Sequence, residues 1–263
     1  MALEAGLDVE LPSLDAYGAP LRERIESGAC DAARVDRSVR RVLAQKLALG
    51  LFEWRRVDEA RVAVPYEAPE AVALAGEIAA RSLVLLRNEG GLLPLPPEIG
   101  SVAVIGPAAD DPRLLQGDYS YPAHVEIVYK RPGGEGDIAP APDERAMKPG
   151  PYYRPMVTPL EGIRALLGDG GRVRHAPGCE ISGDDASGIA QAVAVAAACA
   201  VAIVGVGGKS GLLPDCTSGE FRDATSLGLT GVQQELVEAV VASGTPTVVV
   251  LLNGRVLSLR SIA

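Results

Sequence analysis

The chain has 263 residues, 48% of them apolar and 22% charged, a composition that suits an ordinary globular protein of one large domain or two small ones. Its formal net charge of −9 argues against a nucleic-acid backbone as partner, because such binders carry a basic face. No apolar run reaches the roughly 18 residues that a membrane span requires; the four cysteines (Cys30, Cys179, Cys199, Cys216) form no CxxC pair and, with only His124 and His175 beside them, no zinc constellation, so they read as reduced, mostly buried thiols.

The opening "MALEAGLDVELP" is acidic where a secretory leader is basic, so no signal peptide is read there. "AGLDVELP" predicts a short strand ending at Pro12, and "LRERIESG" a helical stretch closed by Gly28. In "DAARVDRSVRRVLAQKLALGLFE", Asp31 or Asp36 offers a helix start, Val35, Val39, Val42, Leu43 and Leu47 recur at helical spacing, and Gly50 caps the end. One strand and two helical pieces are too little to close a core. Residues 54–69 are charged, carry two prolines and read as a linker. "EAVALAGEIAARSLVLLRN" then predicts a helix with Pro69 just before it.

Past the loop "GLLPLPPEIG", the β-branched run "SVAVIG" predicts a buried strand. Residues 118–155 hold many prolines and glycines, and a loop of that length inside a compact domain is usually functional or mobile. "TPLEGIRALLG" predicts a short helix, "RVRHAPG" a short strand, "DASGIAQAVAVAAAC" a helix, "AVAIVGVGG" a strand, "VQQELVEAVVAS" a helix with Thr230 as its N-cap, and "PTVVVLLNG" a strand. Alternating helices and buried strands imply α/β architecture, with strands near 101–106, 200–206 and 246–252 lying parallel in one sheet.

Few motifs carry chemistry on their own. "GVGGKSG" suggests a phosphate loop, but Ile203 stands where that motif needs glycine, and "GLLPDC" follows where it needs a helix. The dinucleotide fingerprint fails for want of the same helix. Asp110, Asp111 and Asp118 could be gathered on a metal, yet carboxylates beside "DP" and "GDY" are common turn chemistry. His124 and His175 have no serine or cysteine partner motif for a nucleophilic triad. Glu220 is the suggestive residue. It lies in a glycine-flanked loop just past the carboxyl end of a buried strand, where α/β proteins place chemistry, and could equally be a solvated loop charge.

The chain resembles glycoside hydrolase family 3, the β-glucosidase and β-xylosidase type. The resemblance rests on "AGLDVELP", "SVRRVLAQKLALGLFE", "AARSLVLLRNEGGLLPL", "SVAVIGPAADD", "GDYSYPAH", "SGEFRD", "LTGVQQELVEAV" and "TPTVVVLLNGR", which cover almost the whole chain in the family's order. It implies a mostly parallel α/β/α sandwich, preceded by the last strand and helix of a (β/α)8-like barrel. Residues 1–53 would be the barrel remnant, 54–69 the linker, and 70–263 the sandwich, incomplete at its C-terminus. In the family the nucleophile is an Asp of an "SDW"-type motif on a barrel strand shortly before "AGLDVELP". Here no "DW" exists, Trp54 follows Glu53, and the barrel's Lys-His motif is absent. The expectation is a fragment cut at both ends, with Met1 an internal or artificial start. The family's "GE-x-x-D" context is Gly219-Glu220-Phe221-Arg222-Asp223, which carries the general acid/base role onto Glu220. The implied parent reaction is retaining hydrolysis of a β-linked oligosaccharide or glucoside, with no cofactor, in partnership with the missing barrel domain. Two other readings stand beside it: a non-catalytic α/β module for carbohydrate binding or assembly, and a nucleotide-binding α/β domain built on "GVGGKSG".

Overall fold

A computed structural model of the chain describes residues 2–54, 56, 58–61, 68–124, 156–168, 170–258 and 260. Of the proline-rich stretch 118–155, everything from residue 125 on lies outside these, as does much of the 54–69 linker. The chain divides into two compact units, Met1–Val84 and Leu85–Ala263.

The first unit is helical. Helix α1 (Ala19–Glu26) has a proline in its first turn, where the missing N–H is no loss. Helix α2 (Ala33–Ala48) starts where the Asp31 carboxylate accepts from the Ala33 N–H at 2.9 Å. It ends in a Schellman turn: Leu51 N–H donates to the Lys46 carbonyl, Gly50 N–H to that of Leu47, and Gly50 takes φ +68. Along α2, Val35 and Val42 are half-buried while Val39, Leu43 and Leu47 are exposed, so none of the five is buried.

Two expectations fail in this unit. "AGLDVELP" is not a strand, since all the strands of the described sheet lie in the second unit. A strand holds only when a neighbour takes its N–H and C=O groups. Here the Glu10 carboxylate instead turns back to accept from the Ala16 and Tyr17 N–H groups, and Asp8 pairs with Arg41 at 3.2 Å. Helix α3 (Pro69–Arg81) is present but stops before the "SLVLL" run that the sequence pattern includes in it. Ser82 donates its hydroxyl to the Ala79 carbonyl and ends the helix, and four successive apolar residues, Leu83 to Leu86, have no helical spacing to sustain it.

The second unit is a four-stranded sheet in the order β2-β1-β3-β4, with β1 Val102–Ile105, β2 Val173–Ala176, β3 Val201–Gly207 and β4 Thr247–Leu252. All neighbours are parallel: Val102 pairs with both Val173 and Val201, and Val204 with Val249. Both sheet faces are covered, which is why the central strands read as unbroken apolar runs. On one face Ala103, Ile105, Val204 and Val206 pack with α5 (Ile189–Ala197) and α6 (Gln233–Ala242). On the other, Val102, Val104 and Val201 pack with Leu160 of α4 (Pro159–Leu167) and with Leu92, Leu95 and Ile99. The result is the three-layered α/β/α arrangement that the alternation of elements implies.

Candidate active site

The chain leaves β1 for β2 on one side and later returns to β3 on the other. The connections after β1 and β3 therefore part company at the carboxyl edge, and such a switch point is where open α/β sheets leave a crevice. The backbones meet tightly at its floor. Gly106 has φ +104, and a Cβ there would stand 2.2 Å from the Gly205 carbonyl oxygen; Ala108 N–H donates to that same oxygen at 3.1 Å.

The acids of the loop after β1 are engaged in local and cross-loop hydrogen bonds. Asp111 caps the 3-10 turn Pro112–Leu115 by accepting from the Arg113 N–H at 2.8 Å. Asp110 accepts from the Thr158 hydroxyl at 2.9 Å, and Asp118 from the Ser210 hydroxyl at 3.3 Å. No group of three His, Cys, Asp or Glu side chains is poised for a metal ion among the described residues.

The loop after β3 is rooted by Gln233, which is fully buried. Its amide accepts from Gly207 N–H at 2.9 Å and donates to the carbonyls of Gly207 and Ile181 at 3.0 and 2.8 Å. Thr230, read as the N-cap of α6, spends its hydroxyl on Ile181 instead, and Val232 occupies the cap with no side-chain bond. Beyond Gly208 the chain folds back on itself rather than starting a helix: Thr217 N–H donates to the Lys209 carbonyl at 2.8 Å, Gly211 N–H to that of Ser218 at 2.9 Å. The phosphate-loop geometry is thus lacking at "GVGGKSG". Lys209 and Asp215 close the same loop with an ion pair at 2.6 Å.

This folding brings Gly219 against Gly211, where a Cβ would sit 2.2 Å from the carbonyl oxygen, and gives Phe221 a positive φ of 59°. Glu220 stands between them, exposed at the crest of the turn, with Phe221 and Tyr119 also exposed. The two loops are tied at three points: Arg113 Nη2 donates to the Ser210 carbonyl at 2.7 Å, Ser210 donates to Asp118, and the Tyr119 hydroxyl donates to Glu220 Oε2 at 3.1 Å. The Glu220 carboxylate, through that bond and its charge, raises the pKa of the Tyr119 phenol, with a smaller loss of hydration and the Asp118 charge adding to it.

Glu220 is therefore at the sheet's carboxyl edge beside the switch point, and Asp223 is exposed in the same loop. His124 accompanies Tyr119, ring centroids 6.0 Å apart, while His175 is occupied at 2.8 Å by the Val104 carbonyl. The four cysteines are free thiols. Burial pushes the Cys179 thiol up to about 11, and raises that of Cys216 within the β3–α6 loop. Sequence reasoning missed Tyr119, Arg113 and Gln233. Only the family-like string "GDYSYPAH" could have drawn attention to Tyr119.

A family model described as the glycosyl hydrolase family 3 C-terminal domain matches residues 83–263. A β-xylosidase of Formosa agariphila is 32% identical over 100% of this chain and 33% of its own. A β-glucosidase structure from Erythrobacter marinus is 30% identical, with a TM-score of 0.67 over 97% of this chain and 33% of that one. A mutant β-glucosidase from Listeria innocua in complex with laminaribiose shares the fold, with a TM-score of 0.73 over 99% of this chain and 31% of that one, at 24% identity. The chain spans about a third of the length of these relatives. It belongs to glycoside hydrolase family 3, and its parallel α/β unit is that family's C-terminal domain.

Proposed function

We propose that this chain supplies the general acid/base, Glu220, of a retaining β-glycosidase whose nucleophile lies on a barrel domain outside it. The observation that carries the reading is the placement of an exposed carboxyl group, Glu220, on the turned-out crest of the β3–α6 loop at the carboxyl edge of the sheet. In this reading residues 1–53 end the barrel, 54–69 link, and 70–263 form the domain that brings Glu220 over the barrel mouth, the active face of such barrels.

The chemistry needs two carboxyl groups roughly 5–5.5 Å apart. One attacks the anomeric carbon and forms a glycosyl-enzyme intermediate. Glu220 first protonates the departing glycosidic oxygen and then, as carboxylate, takes a proton from the water that releases the sugar. The relatives' names, β-xylosidase and β-glucosidase, support a β-linked glucoside, xyloside or similar sugar as substrate.

The test joins the chain in one polypeptide to a family 3 barrel and compares aryl β-glycosides of different leaving groups. Glu220→Ala should slow release of poorly acidic phenols by about 10²–10⁴-fold, the usual worth of general acid catalysis. Bond cleavage to a dinitrophenolate, which needs little protonation, should be spared. Unchanged rates for the poor leaving groups would reject Glu220, and Asp215 and Asp223 would be the next residues to test. If no carboxyl variant in the loop affected turnover, a non-catalytic carbohydrate-binding role would replace the reading.

A further inference from the structure

The Tyr119–Glu220 contact joins residues 101 positions apart in sequence, across the two loops that flank the switch point. We infer that Tyr119 is a positioning residue for Glu220: its hydroxyl holds Oε2 and leaves Oε1 as the oxygen that carries and delivers the proton. The inference rests on Glu220 being the acid/base.

An exposed glutamate samples several rotamers, and each one away from the reacting geometry costs rate. Among the described residues Glu220 makes no ion pair, and its side-chain partner is the Tyr119 hydroxyl. A phenol fits the task because it can serve both halves of the reaction. It donates to Oε2 when Glu220 is a carboxylate. It can keep donating to Oε2, then a carbonyl oxygen, when the proton resides on Oε1. A lysine or arginine there would favour the carboxylate alone and oppose the acid role.

Tyr119 is itself anchored. The neighbouring Asp118 accepts from Ser210 at the base of the β3–α6 loop, and Arg113 clamps the Ser210 carbonyl. The hydroxyl thus reaches Glu220 from a loop tied independently to the loop that carries it. The charged and titratable groups facing the phenol are Glu220, Asp118 and the His124 ring.

Two measurements test this. The first uses the chain itself, labelled with ¹³C at tyrosine Cζ, the Tyr119 signal being assigned by its loss in Tyr119→Phe. Tyr119 should titrate above an ordinary tyrosine and move back towards the ordinary value in Glu220→Gln. No response to Glu220→Gln would overturn the contact whatever the catalytic role of Glu220. The second uses the chain joined to a family 3 barrel. Tyr119→Phe should lower kcat for poor leaving groups about tenfold, leave cleavage of the dinitrophenyl glycoside within about twofold, and leave KM nearly unchanged. An equal loss for all leaving groups would mark a merely structural effect and overturn the inference, as would no loss at all. If Glu220→Ala had no leaving-group dependence, the acid/base reading would fall and this inference with it. A normal Glu220→Ala result beside a uniform Tyr119→Phe result would remove only the role of Tyr119.

Discussion

At Gly106 a single methyl group would collide with backbone, since the added Cβ would lie 2.2 Å from the Gly205 carbonyl oxygen at a φ of +104. Gly106→Ala should therefore destabilise the fold by at least about 2 kcal/mol, from overpacking and backbone strain together; chemical denaturation would measure it, and an unaltered midpoint would contradict the close approach. Gln233→Leu should cost about 3 kcal/mol, because it strips both the N–H and the C=O of Gly207 of their partner in a fully buried site. Cys179 gives a pH prediction. Its thiol is raised by burial, with Glu180 adding, to about 11, so the folded state keeps a proton that the unfolded state has lost. The stability this represents is fully present below the ordinary thiol range and lost as pH rises through about 11. Cys179→Ala should flatten the fall of melting temperature between pH 9 and 11 relative to the parent chain. At this scale the loop that carries Glu220 was legible, since the glycines after β3 announced the strand's end, and the family-like "SGEFRD" is what singles out Glu220 for the proposed role. Its partner was not. A hydrogen bond across 101 residues leaves no local pattern, and nothing about Gln233 in "GVQQE" distinguishes it from the surface amide Gln234 beside it.

The helix expected over "TPLEGIRALLG" starts on side-chain chemistry. Thr158 forms a full capping box with Glu161, each side chain satisfying the other's backbone N–H, and also donates to Asp110. Thr158→Ala should cost about 1–2 kcal/mol while Thr158→Ser costs much less. A similar loss for both would assign the effect to the methyl group and its packing rather than to the cap. The parallel strands could be read from runs such as "AVAIVGV" because two covered faces leave no polar alternation. Where an element depends on a lateral neighbour the sequence was misleading: "AGLDVELP" has strand composition but, among the described residues, no strand beside it. The end of α3 at Ser82 and the uncapped start of α6 were lost to side-chain bonds whose acceptors are set by the folded backbone.

At the scale of the whole chain, the hydrophobic core clusters of the described residues lie between Leu92 and Leu252, inside the second unit. Residues 85–263 expressed alone should therefore keep the sheet and melt cooperatively. The first unit instead exposes Val39, Leu43 and Leu47 on α2, and Val72, Leu74 and Ile78 on α3, an apolar area of the kind that binds hydrophobic dyes. Deleting 1–84 should reduce such dye binding, and an unchanged signal would locate the accessible apolar surface in the second unit. On the proposed assignment, which puts the nucleophile on a barrel domain, the 263-residue chain by itself should hydrolyse aryl β-glucosides and β-xylosides no faster than background. Turnover abolished by Glu220→Gln in that chain would reveal a second catalytic carboxyl within it. Azide, given to Glu220→Ala in the barrel-joined protein with a dinitrophenyl β-glycoside, separates an acid/base Glu220 from any other role. With the acid/base gone, the glycosyl-enzyme should wait for a nucleophile that needs no deprotonation, so azide should raise turnover and release a β-glycosyl azide. Turnover indifferent to azide, with no glycosyl azide formed, would contradict the assignment of Glu220.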